Sequence, residues 1–254
     1  MVSELANLYS RTRAACRIIV VDLGFLGDSI HLVPALWEIR RHYPEAEVHT
    51  LSAPVGAEFL RLASCVDRPW AFPLGSPSPP WWRHWDLILE LRRQRFELAL
   101  NFSGADRTIF LTALMGAKWR LAHAASRRHF WGPWLIRDWV PRRSEELPVF
   151  EQRRQVLAAC GFRLGAPSWE LRLPDAAKQR AESLGAAGAI HLSINASTPL
   201  KEWPLRHWIE LANRLLTGDP QLRIVTTGSS SQREQERLRS LAAGVSNERL
   251  AVLP

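Results

Sequence analysis

Residues 18–36 read IIVVDLGFLGDSIHLVPAL, and this junction limits the possible folds more than any other stretch. Arg17–Leu23 is an apolar run rich in β-branched residues, the composition of a strand buried on both faces. Such a strand belongs to a parallel sheet with helices on either side. After a loop bracketed by Gly24 and Gly27, apolar residues recur at helical spacing: Ile30, Val33, Leu36, Trp37 and Ile39. Pro34 suits a first helical turn, so the regular helix is expected to start late or to kink there. His42-Tyr43-Pro44 should end it. Glu47–Ser52 then reads as a second strand, and strand–helix–strand implies a parallel pair with a right-handed crossover.

The rhythm continues. The pattern predicts helices over Ala57–Ala63, Trp85–Arg95, Thr108–Met115 and Leu147–Cys160, and a strand over Phe96–Phe102. Residues 69–80 are proline-rich and read as a surface loop, and residues 163–175 as a linker. Beyond it come a strand at Ala189–Asn195, a polar loop at 196–203 and a helix with Pro204 at its first position. A strand at Leu222–Thr227, a helix over about Gln232–Ala243 and a strand at Leu250–Leu253 follow. The expected organisation is two α/β domains in series, 1–175 and 176–254. The second has room for about three strands, below the usual ~100–150 residues of a domain.

Composition narrows the class. Of 254 residues, 46% are hydrophobic and 23% charged, as in globular chains. Cys16, Cys65 and Cys160 are far apart, so neither a zinc site nor a disulfide framework is indicated. The residues Met1–Ala15 carry no apolar core of the length a secretory leader needs. A net charge of +8 favours anionic partners; ordinary solubility is the bland alternative.

Two loops could carry chemistry. SINASTPLKEWP leaves a strand for a helix, and such loops gather at the carboxyl edge of a parallel sheet, where ligands bind. Lys201 supplies a full charge, Ser193, Ser197 and Thr198 supply hydroxyls, and a helix N-terminus supplies unpaired N–H groups. That equipment suits a diphosphate. A solvated lysine beside capping hydroxyls fits the spacing equally well. In the first loop, Asp28 either caps its helix, worth roughly 0.5–2 kcal/mol, or faces a substrate as a general base, with glycines allowing close approach. Spacing alone favours the cap. GFLGDS is neither a P-loop nor G-x-G-x-x-G. No HExxH, GxSxG or Cys/His pair is present. RRHFWGPWLIRDWVPRR, residues 127–143, mixes arginine with tryptophan. It could meet an anionic membrane surface or single-stranded nucleic acid, or simply pack into the first domain.

Taken together, VVDLGFLGDSIHLVPALWEIRRHYPEAEVHTL and HLSINASTPLKEWPLRHWIELANRLL resemble glycosyltransferase family 9, the bacterial heptosyltransferases of lipopolysaccharide core assembly. FELALNFSGADRT and RIVTTGSSSQRE fall where that family carries comparable strands. The resemblance implies a GT-B fold: two Rossmann-like domains facing a cleft, the second incomplete here. It also implies inverting transfer of a heptose from an ADP-sugar to a lipid-linked core or other envelope glycan, without metal or cofactor. Asp28 maps to the family's proposed base, within the Gly24–Gly27 acceptor-side loop. Lys201 maps to the lysine on the donor diphosphate, with Ser197, Thr198 and Gly228 nearby. The expected setting is cytoplasmic, with peripheral contact on an anionic inner membrane, and nucleic acid ranks last among partners. There are two departures. Gln232 stands where the family carries an acidic residue, with Glu234 two residues on. The family's Asp-x-Gly-x-x-His loop does not occur within these residues, so the chain is expected to be a fragment or a short form, or else a sugar-nucleotide or glycan binder that does not catalyse.

Overall fold

The computed structural model describes residues 5–73, 81–123, 132–140, 146–196 and 198–253. Backbone contacts divide the chain into two units, Met1–Arg172 and Leu173–Pro254.

The first unit is built on six parallel strands: β1 Arg17–Asp22, β2 Glu47–Ser52, β3 Arg68–Ala71, β4 Leu98–Asn101, β5 Trp119–His123 and β6 Asp138–Val140. Their order is β3-β2-β1-β4-β5-β6. β1 is central: Val20 pairs with Thr50 on one side and Leu100 on the other. Its side chains alternate between two cores, as a period of two requires. Ile18 and Val20 join Leu32, Leu36 and Ile39 of the Leu26–His42 helix and Val156 and Leu157 of the Val149–Ala159 helix. Ile19 and Val21 join Ile88 and Leu91 of the Trp85–Arg93 helix and Leu111 of the Asp106–Leu114 helix. All four are fully buried, each stabilising by about 1.5–3 kcal/mol. The doubly covered strand inferred from composition is therefore real.

Differences from the sequence reading have local causes. The first long helix begins at Leu26, so Pro34 lies inside it, tolerated as part of the buried face. Pro69, which the proline-rich composition assigns to a surface loop, lies in β3, an edge strand, where its missing N–H costs no ladder bond. β5, β6 and the helix Asp175–Ser183 have no counterpart among the elements expected from the sequence. β5 and β6 are short and only partly buried, and the helix buries no residue at all, so none carries a strong apolar period. Of residues 127–143, only 132–140 are described. There Trp139 packs with Ile136 and Ala122 and donates its indole N–H to the Ile136 carbonyl at 3.0 Å, whereas Trp134 is 84% exposed.

The second unit holds three parallel strands, β7 Ile190–Leu192, β8 Ile224–Thr227 and β9 Leu250–Leu253, in the order β7-β8-β9. Helices Leu205–Gly218 and Gln232–Val245 lay Ala212, Leu216, Leu238 and Leu241 onto Leu192, Ile194 and Ile224. Pro204 is the N-cap of its helix rather than its first residue.

Candidate functional site

In the first unit the sheet order reverses direction between β1 and β4, and a crevice at the carboxyl ends of strands belongs at such a point. Asp22 ends β1 and Asn101 ends β4. Asn101 Oδ1 accepts the Ser103 and Gly104 N–H groups at 3.0 and 3.1 Å, while its amide donates to Thr112 Oγ1 at 3.0 Å. The β4 loop is thereby turned back, and Phe102 and Ser103 line a pocket of about 310 Å³ with His123, Val149, Gln152, Arg153 and Val156.

Arg153 links this pocket to the Gly-Asp loop. It is 8% exposed. Its Nη2 lies 2.6 Å from Asp22 Oδ2 and 3.4 Å from Asp28 Oδ1, and its Nη1 donates to the Asp28 backbone carbonyl. Asp28 stands at the third helical position and does cap: its Oδ2 accepts the Phe25 N–H at 2.9 Å. Oδ1 remains, on a side chain 38% exposed. Asp22 is buried, and its Oδ1 accepts the Gly24 N–H at 3.0 Å. Burial pushes the Asp22 carboxyl up from its ordinary range; Arg153 and the Gly24 N–H pull it down, and Asp28 adds a smaller upward push. Gly24 is required sterically, because a Cβ there would sit 2.4 Å from Asp28 Oδ2. Gly27 has nothing within 4 Å of such a position, so the first helical turn is open on that side.

In the second unit the polar loop is fastened from below. Glu202, with a side chain 6% exposed, meets Arg233 Nη1 at 2.5 Å and Arg237 Nη1 at 3.4 Å. Glu202 also accepts the Ala196 N–H at 3.3 Å. Arg233 donates to the Ala196 carbonyl at 2.8 Å, and Arg237 to those of Ile194 and Trp203 at 3.1 and 3.3 Å. Lys201 closes a 3₁₀ turn, Pro199–Lys201, and is exposed. Among the described residues its ammonium has no partner. Thr198 precedes that turn and its hydroxyl makes no capping bond.

A model of glycosyltransferase family 9 (heptosyltransferase) matches residues 84–254. The chain belongs to glycosyltransferase family 9. It is 22% identical over 234 residues to the lipopolysaccharide core heptosyltransferase OpsX of Haemophilus influenzae, and that alignment covers 91% of this chain and 65% of OpsX. A family 9 crystal structure from Veillonella parvula superposes with a TM-score of 0.75 at 16% identity, covering 93% of this chain and 68% of that one. The structure of E. coli heptosyltransferase WaaC with ADP-2-deoxy-2-fluoro heptose gives 0.73 at 19% identity, covering 94% and 76%. These likenesses show the fold. Two Rossmann-like α/β units of the GT-B class are present, and the chain spans about two thirds of the length of OpsX.

Within this family 9 chain, the first unit brings Gly24, Gly27 and Asp28 together at one sheet edge. The second unit places Thr198 and Lys201 on one turn. Ser197 lies outside the described residues. Gly228 is spent internally: its N–H donates to the Leu253 carbonyl at 3.2 Å, and a Cβ would meet Leu238 at 2.7 Å and the Asn195 amide at 3.2 Å. Glu234 is also committed. It accepts the Ser229 N–H at 2.8 Å, which holds its carboxyl below the usual carboxylate range. Sequence reading passed over Asp22, Arg153, Glu202, Arg233 and Arg237. One signal was available, since two adjacent arginines in EQRRQVLAAC sit on an apolar helix and need buried partners. Arg154 takes Glu38 at 2.9 Å and Glu151 at 2.6 Å.

Proposed function

We propose that the chain is an inverting glycosyltransferase that moves a heptose, or a related sugar, from an ADP-sugar to a lipopolysaccharide core or another cell-envelope glycan. One observation carries the reading. In a family 9 chain, Asp28 spends one carboxylate oxygen on its helix and turns the other toward Arg153 of the pocket, on a side chain 38% exposed.

In this mechanism Asp28 Oδ1 takes the proton of an acceptor hydroxyl as that oxygen bonds to the anomeric carbon of the donor. The anomeric carbon–oxygen bond to the diphosphate breaks on the opposite face, and its electron pair leaves with ADP. The acceptor ring fits the first unit's pocket, where Phe102 and Val156 offer an apolar face and Ser103, His123 and Gln152 offer polar groups. Lys201, with the Thr198 and Ser197 hydroxyls, meets the charge that grows on the leaving diphosphate, so that no metal is called for. Gly228 keeps the β8 loop close to the β7 loop, which shapes the same site. The relatives support the donor: WaaC was crystallised with an ADP-heptose analogue. A lipid-linked acceptor suits a cytoplasmic enzyme working at the inner leaflet. No described helix is long and apolar enough to cross a membrane.

The test is transfer from ADP-heptose to deacylated lipopolysaccharide core, followed by mass spectrometry. A heptosyl adduct that disappears in Asp28→Ala is expected. Tight ADP-heptose binding with no transfer to any core acceptor would instead identify a sugar-nucleotide binder.

A further inference from the structure

Two carboxylates share one guanidinium at the first unit's sheet edge, and they share it unequally. Asp22 holds Arg153 at 2.6 Å, whereas Asp28 stands 3.4 Å away. Arg153 also grips the Asp28 backbone carbonyl, so the start of the helix is tied to the Val149–Ala159 helix. A guanidinium closed bidentately on Asp28 would fix its carboxylate but drain its basicity, because an opposite charge in close contact favours the ionised form. A guanidinium drawn aside by a second, buried acid fixes the backbone and leaves Oδ1 available. We infer that Arg153 is a positioning residue for Asp28, and that Asp22 sets how much of the guanidinium Asp28 receives.

The inference rests on Asp28 being the base. Among the described residues, Arg153 from the Val149–Ala159 helix pairs with it, and Asp22 from β1 shares that guanidinium. His31 stands one turn on along Asp28's own helix, and His123 of β5 lines the adjoining pocket. The cluster carries two acids and one base, a net charge of −1. Transfer of the acceptor proton to Asp28 takes it to zero while Asp22 keeps Arg153 in place. The helix start therefore need not move between the two protonation states.

The test uses the 254-residue chain and two readouts. One is the pH titration of the Asp28 side-chain carboxyl resonance after carbon-13 aspartate labelling, assigned with Asp28→Asn. The other is the acid limb of kcat/KM with ADP-heptose and deacylated core. Asp22→Asn keeps the acceptor for the Gly24 N–H and frees Arg153, so the midpoint should move down by about one pH unit. Arg153→Met removes the cation and should move it up by about as much. Arg153→Lys keeps the charge but loses the fork, so kcat should fall while KM for ADP-heptose stays within twofold. Opposite shifts in the resonance together with a fall in kcat in Arg153→Lys establish the inference, and an unchanged kcat in Arg153→Lys overturns the positioning role. Shifts in the same direction, or none in Asp22→Asn, overturn it. Opposite resonance shifts with full transfer in Asp28→Asn would overturn the assignment of the base while leaving the grip of Arg153 on Asp28 intact.

Discussion

The two units each open with a strand, a loop and a helix, and their loops are mirror images in charge. In the first, a carboxylate faces outward and an arginine is buried behind it: the Asp28 side chain is 38% exposed and that of Arg153 10%. In the second, an ammonium faces outward and a carboxylate is buried behind it: Lys201 is exposed, and Glu202 is 6% exposed between Arg233 and Arg237. One topology therefore presents either an outward carboxylate or an outward ammonium. The choice depends on which member of the charge cluster the loop leaves in water. Anchoring differs too. Asp28 caps its own helix and is held from a helix more than a hundred residues away in sequence, whereas the second loop is pinned by the Gln232–Val245 helix, the second helix after it along the chain.

If the outward charges differ in role, removing them should fail differently. Asp28→Asn can still accept the Phe25 N–H, so stability should hold while the transfer rate falls by about 10²–10⁴-fold. Lys201→Ala should leave the melting temperature unchanged and weaken ADP-heptose binding about tenfold, or ~1.4 kcal/mol, by calorimetry. Equal losses of rate and affinity in both variants would erase the distinction between the loops.

The buried partners should fail as structure. Glu202→Ala takes the acid from Arg237 and the nearer of two acids from Arg233, and losing charged hydrogen bonds of this kind costs about 1.5–3 kcal/mol. Urea unfolding should show the loss in the second unit's transition. The two glycines sharpen the first loop. Gly24→Ala drives a methyl into Asp28 and should lower both stability and transfer, whereas Gly27→Ala meets only open space and should cost no stability. Any loss of rate in Gly27→Ala would then measure how closely an acceptor approaches that turn.

The smallest effect belongs to Glu234. Its folded carboxyl lies below the ordinary value because it accepts the Ser229 N–H. Its contribution is therefore present above the unfolded carboxyl's range, near pH 4.5, and is lost as pH falls through the folded value. Glu234→Gln should flatten that part of the stability curve in acid and leave neutral pH almost untouched.

Much of the fold was legible because apolar period is strong where burial is two-sided. β1, β2 and β9 fall where composition placed them, to within a residue. β5, β6 and the Asp175–Ser183 helix were not legible, since partly buried edges and a wholly exposed helix leave little pattern. Asp28 and Lys201 were legible as candidates because loops after buried strands collect at one sheet edge. Asp28 caps through Oδ2 alone, so the cap does not spend Oδ1, the oxygen on which the proposed role as base rests.

By itself the sequence determined two α/β halves, the sheet edge that each loop occupies, and which charged residues stand on those loops. These follow from local rules of period, turn and connection. Only the tertiary structure decided which charges are buried and which face water. Arg153 reaches Asp22 and Asp28, and Arg233 and Arg237 reach Glu202, across separations in sequence that no periodicity encodes. A charge is taken out of water only when the fold brings its partner to it.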